Sequence, residues 1–256
     1  MKMSMGSIQK VDILVIMAHP DDAELSCGGI IAAHVAQGYR VAMVDLTAGE
    51  MGSRGNADLR IKEAGQAARI LGVVARENLR LADAFFRLDY MATLRVIEVV
   101  RHYKPELVIT NALHDRHPDH GRAAQLVKEA CFYAGLRRIV TYREGQQQEA
   151  WRPKEVFHVI QDEFIQPALV VDVSGFWEIK KRAIAAFASQ FYVPGISERQ
   201  GDDEPETYIS TPWFMERIEA RGKEMGHFIG VDYGEGLVAS KPLAVSSLPL
   251  LLRRKA

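Results

Sequence analysis

Two short stretches of this 256-residue chain hold the residue types that bind metal ions and move protons. The first is AHPDDAE, residues 18–24, and the second is NALHDRHPDH, residues 111–120. His19 and Asp22 stand three positions apart, a spacing that can aim an imidazole and a carboxylate at one point. Together with His120 they make two histidines and one carboxylate, the donor count of a catalytic metal site that keeps a position open for water. A structural zinc site more often closes with four protein ligands, commonly thiolates. The two cysteines here, Cys27 and Cys131, form no Cys-x-x-Cys pair and read as small core residues.

Asp21 is then a spare carboxylate beside the metal, which is what a general base acting on water requires. His117, three residues before His120, can approach from the other side as an electrophile or proton donor. Asp119 is placed to orient it by fixing the ring tautomer. Five further histidines, His34, His102, His114, His158 and His227, lack such company and read as hydrogen-bonding residues of loops and core.

For the two stretches to meet, the elements before them must deliver both to one edge of the molecule. The first half alternates short β-branched runs with longer amphipathic segments, the pattern of βαβ units in a parallel sheet covered on both faces. Strands are expected at residues 11–17, 41–47, 78–81 and 107–110, and helices at 28–37, 58–71, 90–103 and 119–134. Each chemical stretch directly follows a strand. Ligands of such sheets bind beyond the carboxyl ends of the strands, so the two stretches are expected to share one crevice. The second half is less regular, with strands at 156–160 and 169–173, helices at 176–187 and 212–228, and a polar connector at 145–154. The Gly-, Asp- and Glu-rich residues 195–205 read as a loop that can act as a lid. No repeat or clean linker appears, so residues 1–256 are expected to form a single domain, with a mainly parallel three-layer α/β fold.

Composition narrows the partners. Thirty-two basic residues balance 33 acidic ones, giving a formal net charge of −1 and no global pull toward nucleic acid or anionic membrane. The first ten residues lack a secretory apolar core, and no apolar run approaches the roughly 20 residues that span a bilayer. A cytoplasmic protein is expected.

The segments AHPDDAE and HPDH, with TAGEMGSRG at residues 47–55 between them, resemble the LmbE/PIG-L family of zinc-dependent N-acetylglucosaminide deacetylases. The likeness covers roughly residues 11–136, which implies a Rossmann-like core, with 137–256 completing the sheet and the substrate site. IGVDYGEGLVASKPL at residues 229–243, with SQF at 189–191, is similar to the bacillithiol biosynthesis deacetylases. Carried over by position, the resemblance implies His19, Asp22 and His120 as metal ligands and Asp21 as general base. His117 becomes the group that stabilises the oxyanion or protonates the leaving amine. Arg54 and Arg60 match the family's substrate-binding arginines, and Tyr192 is a further substrate contact. The implied cofactor is Zn²⁺, with Fe²⁺ able to fill the same shell in cells. The implied substrate is N-acetylglucosaminyl-malate, and relatives of this kind are often homo-oligomers.

Three other readings share these residues. One is a deacetylase or amidase acting on a mycothiol-type conjugate or a chitooligosaccharide. A second is a sugar-binding module without turnover, although the base Asp21 is present. A third is a non-haem Fe(II) oxygenase, since two histidines and a carboxylate also form its facial triad. No GxGxxG follows the first strand, so no dinucleotide is implied.

Overall fold

A computed structural model of the chain describes residues 10–195, 197 and 204–248. Strand β1 (Ile13–Met17) shows why the molecule is layered. Ile13, Val15 and Met17 enter one apolar cluster while Leu14 and Ile16 enter another, so the strand is buried on both faces. That is the environment of a central strand in a parallel sheet, where uninterrupted apolar runs replace alternation.

Around β1 a seven-stranded sheet assembles in the order β3-β2-β1-β4-β7-β9-β8. Its members are β2 (Val41–Thr47), β3 (Ala75–Leu81), β4 (Leu107–Thr110), β7 (Glu155–Val159), β8 (Leu169–Asp172) and β9 (Gly234–Ala239). Strands β1 to β4 and β7 run parallel, whereas β9 lies antiparallel between β7 and β8. Helices α1 (Asp22–Ala36), α2 (Ala57–Leu71) and α5 (Trp177–Ala185) pack on one face. Helices α3 (Tyr90–Tyr103) and α4 (Pro118–Ala134) cover the other. Helix α6 (Pro212–Ile229) leans on β8 and β9. The expected three-layer, mainly parallel α/β fold is the fold observed.

Several boundaries differ from those expected. Helix α1 starts at Asp22, six residues before the predicted start, and bends at Cys27, where φ is −144° and ψ is 22°. The Gly28-Gly29 pair does mark a break, but one inside the helix. Groups from the far end of the chain repair its lost hydrogen bonds: Glu235 accepts from the N–H of Gly29 and Ile30 (3.1 and 2.7 Å), and Lys180 donates to the carbonyl of Leu25 (2.8 Å). Helix α2 is capped by Asn56, whose side chain accepts from the Leu59 N–H, so it begins ahead of Asp58. Strand β3 begins at Ala75, because this edge strand is half exposed and its Arg and Glu residues carry no apolar signal. The connector at 145–154 contains the second strand of a small hairpin, β5 (Tyr142–Arg143) with β6 (Gln146–Gln147). Strand β9 was not expected at all, since GEGLVA holds two glycines, which weaken a strand signal. Of the loop expected at 195–205, residues 196 and 198–203 lie outside the described residues. Among the described residues no helix is long and apolar enough to cross a membrane.

The seat of α6 on β9 depends on Gly226. A Cβ there would stand 2.7 Å from the Val231 carbonyl oxygen and 2.9 Å from the Tyr233 nitrogen, and backbone cannot move aside as a side-chain tip can. Helix propensity alone would favour Gly226→Ala by about 1 kcal/mol. Overpacking reverses the sign, so urea denaturation of G226A is expected to show a net loss of about 1–3 kcal/mol.

Candidate active site

The register of the sheet brings the two chemical stretches together. Ile13 pairs with Leu107, so the ends of β1 and β4 are level. The Ala18 N–H then donates to the Asn111 side-chain oxygen at 2.8 Å. Beyond these ends lies a cavity of about 440 Å³ whose lining includes His19, Asp21, Asp22, His117 and His120.

Asp22 is the pivot. Its Oδ1 lies 3.0 Å from His120 Nε2, and its Oδ2 lies 3.4 Å from His19 Nδ1. Donors bound to a tetrahedral ion at about 2.0–2.1 Å stand roughly 3.3 Å apart, so these separations suit a small cation. The far nitrogen of each ring is held by carboxylates. His120 Nδ1 meets Asp115 at 2.6 Å, while His19 Nε2 meets Asp83 at 3.1 Å and Asp119 at 3.3 Å. A ligating imidazole normally donates its other N–H to just such a group. One ring nitrogen from each of His19, His117 and His120 lies within 4.8 Å of the others, and so do one nitrogen of His19 and one oxygen each of Asp83 and Asp119. These donors are of the kind that hold a divalent ion: His19 and His120 belong to one cluster of ligand atoms, and Asp22 meets each of the two rings through a different oxygen.

Electrostatics follow the same pattern. Burial opposes charge on His19, but Asp119, Asp22 and Asp83 outweigh it and hold its pKa well above the ordinary value. Burial likewise opposes charge on His120, yet Asp22 and Asp115 raise its pKa to about 9. Asp22, despite its burial, is held well below the carboxylate range by His120 and His19. Without an ion each ring keeps a proton where the metal would bind.

Asp21 is buried and adopts φ 121°, ψ −27°, a conformation that L residues rarely occupy. Burial pushes its pKa up to about 7, against the pull of Arg60. The Arg60 guanidinium donates to Asp21 Oδ2 at 3.1 Å and to Gln190 Oε1 at 2.6 Å. It fits because Gly49, at φ 67°, has no side chain; a Cβ there would lie 2.0 Å from Arg60 Nη1. His117 caps α4, its Nδ1 accepting from the Asp119 N–H. Burial, His19 and His120 lower its pKa, so the ring is neutral and its Nε2 carries the hydrogen.

Residues 14–131 match the model of the PIG-L family, GlcNAc-PI de-N-acetylase. The chain is 31% identical over 202 residues to 4-oxalmesaconate hydratase of Pseudomonas putida, covering 73% of this chain and 76% of that protein. The chain belongs to the PIG-L family. A second relative, the probable N-acetyl-alpha-D-glucosaminyl L-malate deacetylase 2 of Bacillus subtilis, is 27% identical, with 82% of this chain and 96% of that protein covered. The crystal structure of the conserved protein TT1542 from Thermus thermophilus superposes with a TM-score of 0.81 at 32% identity, covering 93% of this chain and 98% of that one.

In this PIG-L protein not every expected site residue lies where the sequence suggested. Asp119 does not meet the His117 ring through its carboxylate, which instead faces His19, the Ala84 N–H (2.9 Å) and Arg122. Only its backbone N–H reaches His117, because the capped helix start turns the side chain back toward β3. Arg60 lines the cavity but is engaged by Asp21. Arg54 lines it too, donating to the Ser189 carbonyl at 3.1 Å and the Pro205 carbonyl at 3.0 Å. Tyr192 is half-buried and is not among the lining residues, whereas Tyr208 is. Sequence reasoning missed Asp83, Asn111, Asp115 and Gln161. Asn111 Nδ2 and Gln161 Nε2 donate to the two Asp22 oxygens at 3.0 and 3.1 Å.

The carboxylate-backed histidines make metal binding at this PIG-L site depend on pH. Ion binding must displace the extra protons of His19 and His120. Titration calorimetry of metal-free protein near pH 7, in buffers of different ionisation enthalpy, is therefore expected to show one to two protons released per ion. Affinity should rise with pH through about 9, the range in which His120 gives up its proton, and His19, whose pKa is also raised, adds to the same trend. Asp115→Asn removes the carboxylate behind His120 and is expected to weaken metal binding by about 10–100-fold in a chelator competition assay.

Proposed function

We propose that this protein is a metal-dependent deacetylase that hydrolyses the acetamide of an N-acetylglucosaminide, with N-acetylglucosaminyl-malate as the substrate and bacillithiol biosynthesis as the setting. The observation that carries the reading is Asp21, a buried carboxylate held near neutrality one residue from the pivot of the histidine pair. Zinc, or Fe²⁺ in cells, held by His19, Asp22 and His120 would supply Lewis acidity toward the amide carbonyl and lower the pKa of the attacking water.

The chain's own residues do the rest. Asp21 takes the proton of the attacking water, with Arg60 orienting its carboxylate. His117, neutral and with hydrogen on Nε2, donates to the oxygen that gains negative charge, a contact worth about 10²–10³ in rate. That tautomer makes His117 an oxyanion donor, and Asp21 returns its proton to the departing amine. Asp83 and Asp119 keep His19 oriented, and Asp115 does the same for His120. On this reading the enzyme is cytoplasmic, homo-oligomeric and folded as a single domain.

The family resemblance and the Bacillus subtilis relative support the malate glycoside as substrate. The Pseudomonas putida relative supports a second reading, addition of water to an unsaturated carboxylate, for which the same base would activate the same water. One experiment separates them: acetate release from N-acetylglucosaminyl-malate and loss of 4-oxalmesaconate absorbance, both with metal content measured. Acetate release is expected. Full metal content with no acetate from this or other acetylated glucosaminides would reject deacetylation. Asp21→Asn keeps the hydrogen bond to Arg60 but not the basicity, and should lower turnover about 10²–10⁴-fold at unchanged metal content.

A further inference from the structure

The wall of the cavity formed by α6 carries arginines that the hydrolytic chemistry does not use. Arg217 and Arg221 lie one turn apart on that helix, Arg116 precedes His117, and all three line the cavity. They converge on Asp162. Its carboxylate receives Arg217 Nη1 at 2.8 Å and Arg116 Nε at 3.2 Å, and its main-chain carbonyl receives Arg217 Nη2 at 2.8 Å and Arg221 Nη2 at 2.7 Å. The Tyr208 hydroxyl donates to the same carboxylate at 2.9 Å, and the Arg116 guanidinium lies over the Tyr208 ring at 4.5 Å.

Three positive groups thus converge on one side chain, with Asp115 and Glu224 the further negative groups that act on Arg221. Like charges at i and i+4 on a helix repel each other. Arg221 meets a neutral carbonyl, and its burial together with Arg217 draws its pKa down. An arrangement serving only to fasten α6 would not need this excess of charge facing a cavity. A guanidinium offers five N–H donors in a planar fork that matches carboxylate and phosphate oxygens. Arg54 and Arg60, the arginines the sequence pointed to, are engaged by backbone carbonyls, Asp21 and Gln190.

We propose that Arg217 and Arg221, with Arg116 at their side, form a recognition site for an anionic group, carboxylate or phosphate, on the part of the substrate remote from the cleaved amide. The position of that group within a substrate rests on the deacetylase reading; the anion site itself does not. It makes the enzyme selective for acidic glycosides over neutral ones.

The test uses metal-loaded protein in two arms. In the first, acetate release is compared for N-acetylglucosaminyl-malate and the uncharged methyl N-acetylglucosaminide. R217Q/R221Q is expected to reduce the preference in kcat/KM for the malate glycoside by about 10–100-fold, mostly through KM, the range that lost charge-assisted hydrogen bonds produce. In the second, L-malate and inorganic phosphate are titrated calorimetrically into wild type, R217Q/R221Q and D162N. The double variant should weaken the anion that the site recognises at least tenfold, and the comparison of malate with phosphate tells which chemistry that is. D162N keeps the acceptor shape while removing the competing charge, so it should tighten the same anion several-fold, an outcome that misfolding cannot imitate. Binding and preference within twofold of wild type in the double variant, or weaker binding in D162N, would overturn the site. If neither glycoside releases acetate while the titrations behave as expected, the deacetylase reading fails and the anion site stands. If both glycosides are cleaved with equal efficiency by wild type, the anion site fails and the deacetylase reading stands.

Discussion

A carboxylate held between two imidazoles is the constraint around which the rest of this molecule is arranged. Asp22 is almost fully enclosed, and a charge removed from water is tolerated only when it is paired and hydrogen-bonded. Its two oxygens are therefore surrounded by His19, His120, Asn111 and Gln161. Each imidazole is in turn backed by carboxylates, so the requirement spreads outward to Asp83, Asp115 and Asp119. His19, Asn111 and Gln161 follow β1, β4 and β7 within two residues, which makes the level register of those strands a condition of the chemistry as well as of the fold.

Charge outside the cavity is sorted by the same rule. Glu24, the last residue of the first chemical stretch, points away from the histidines and pairs with Arg76, which also forks onto both oxygens of Asp45. Asp21 is the exception, being buried beside a like charge and balanced chiefly by Arg60, with His19 adding to it. Its strained backbone and raised pKa are the features expected where a protein keeps a group reactive.

Much of this was legible in the sequence, and the parts that were not have physical reasons. The β-branched runs announced β1, β2 and β4, and with them the edge on which His19 and His120 meet. The first residues of β3 and the whole of β9 escaped because an exposed edge strand and a glycine-rich strand carry weak apolar patterns. Asp83 and Gln161 stand alone in loops, and Asn111 heads the second chemical stretch at no spacing that marks it out. Yet each follows a sheet strand within two residues, so position relative to the strand ends held a signal that residue spacing did not. For Arg54, Arg60 and Tyr192 the limit was direction. A residue can be placed near a crevice from sequence, but whether a long side chain reaches into it or ties down a neighbour depends on packing, as Arg60 behind Asp21 shows.

The break in α1 ties the beginning of the chain to its end. The helix turn that presents Asp21 and Asp22 is braced at Leu25, Gly29 and Ile30 by Lys180 and Glu235, and Glu235 belongs to a strand inserted between two earlier ones. Strand β8 pairs only with β9 in the described sheet, so it too must wait for residues 234–239. During synthesis the two histidine stretches are therefore made long before the residues that brace them. Completion of the site is deferred until residues 234–239 have left the ribosome, as expected when contacts are far apart in sequence. A nascent or shortened chain would carry both histidine stretches yet lack the brace that fixes them.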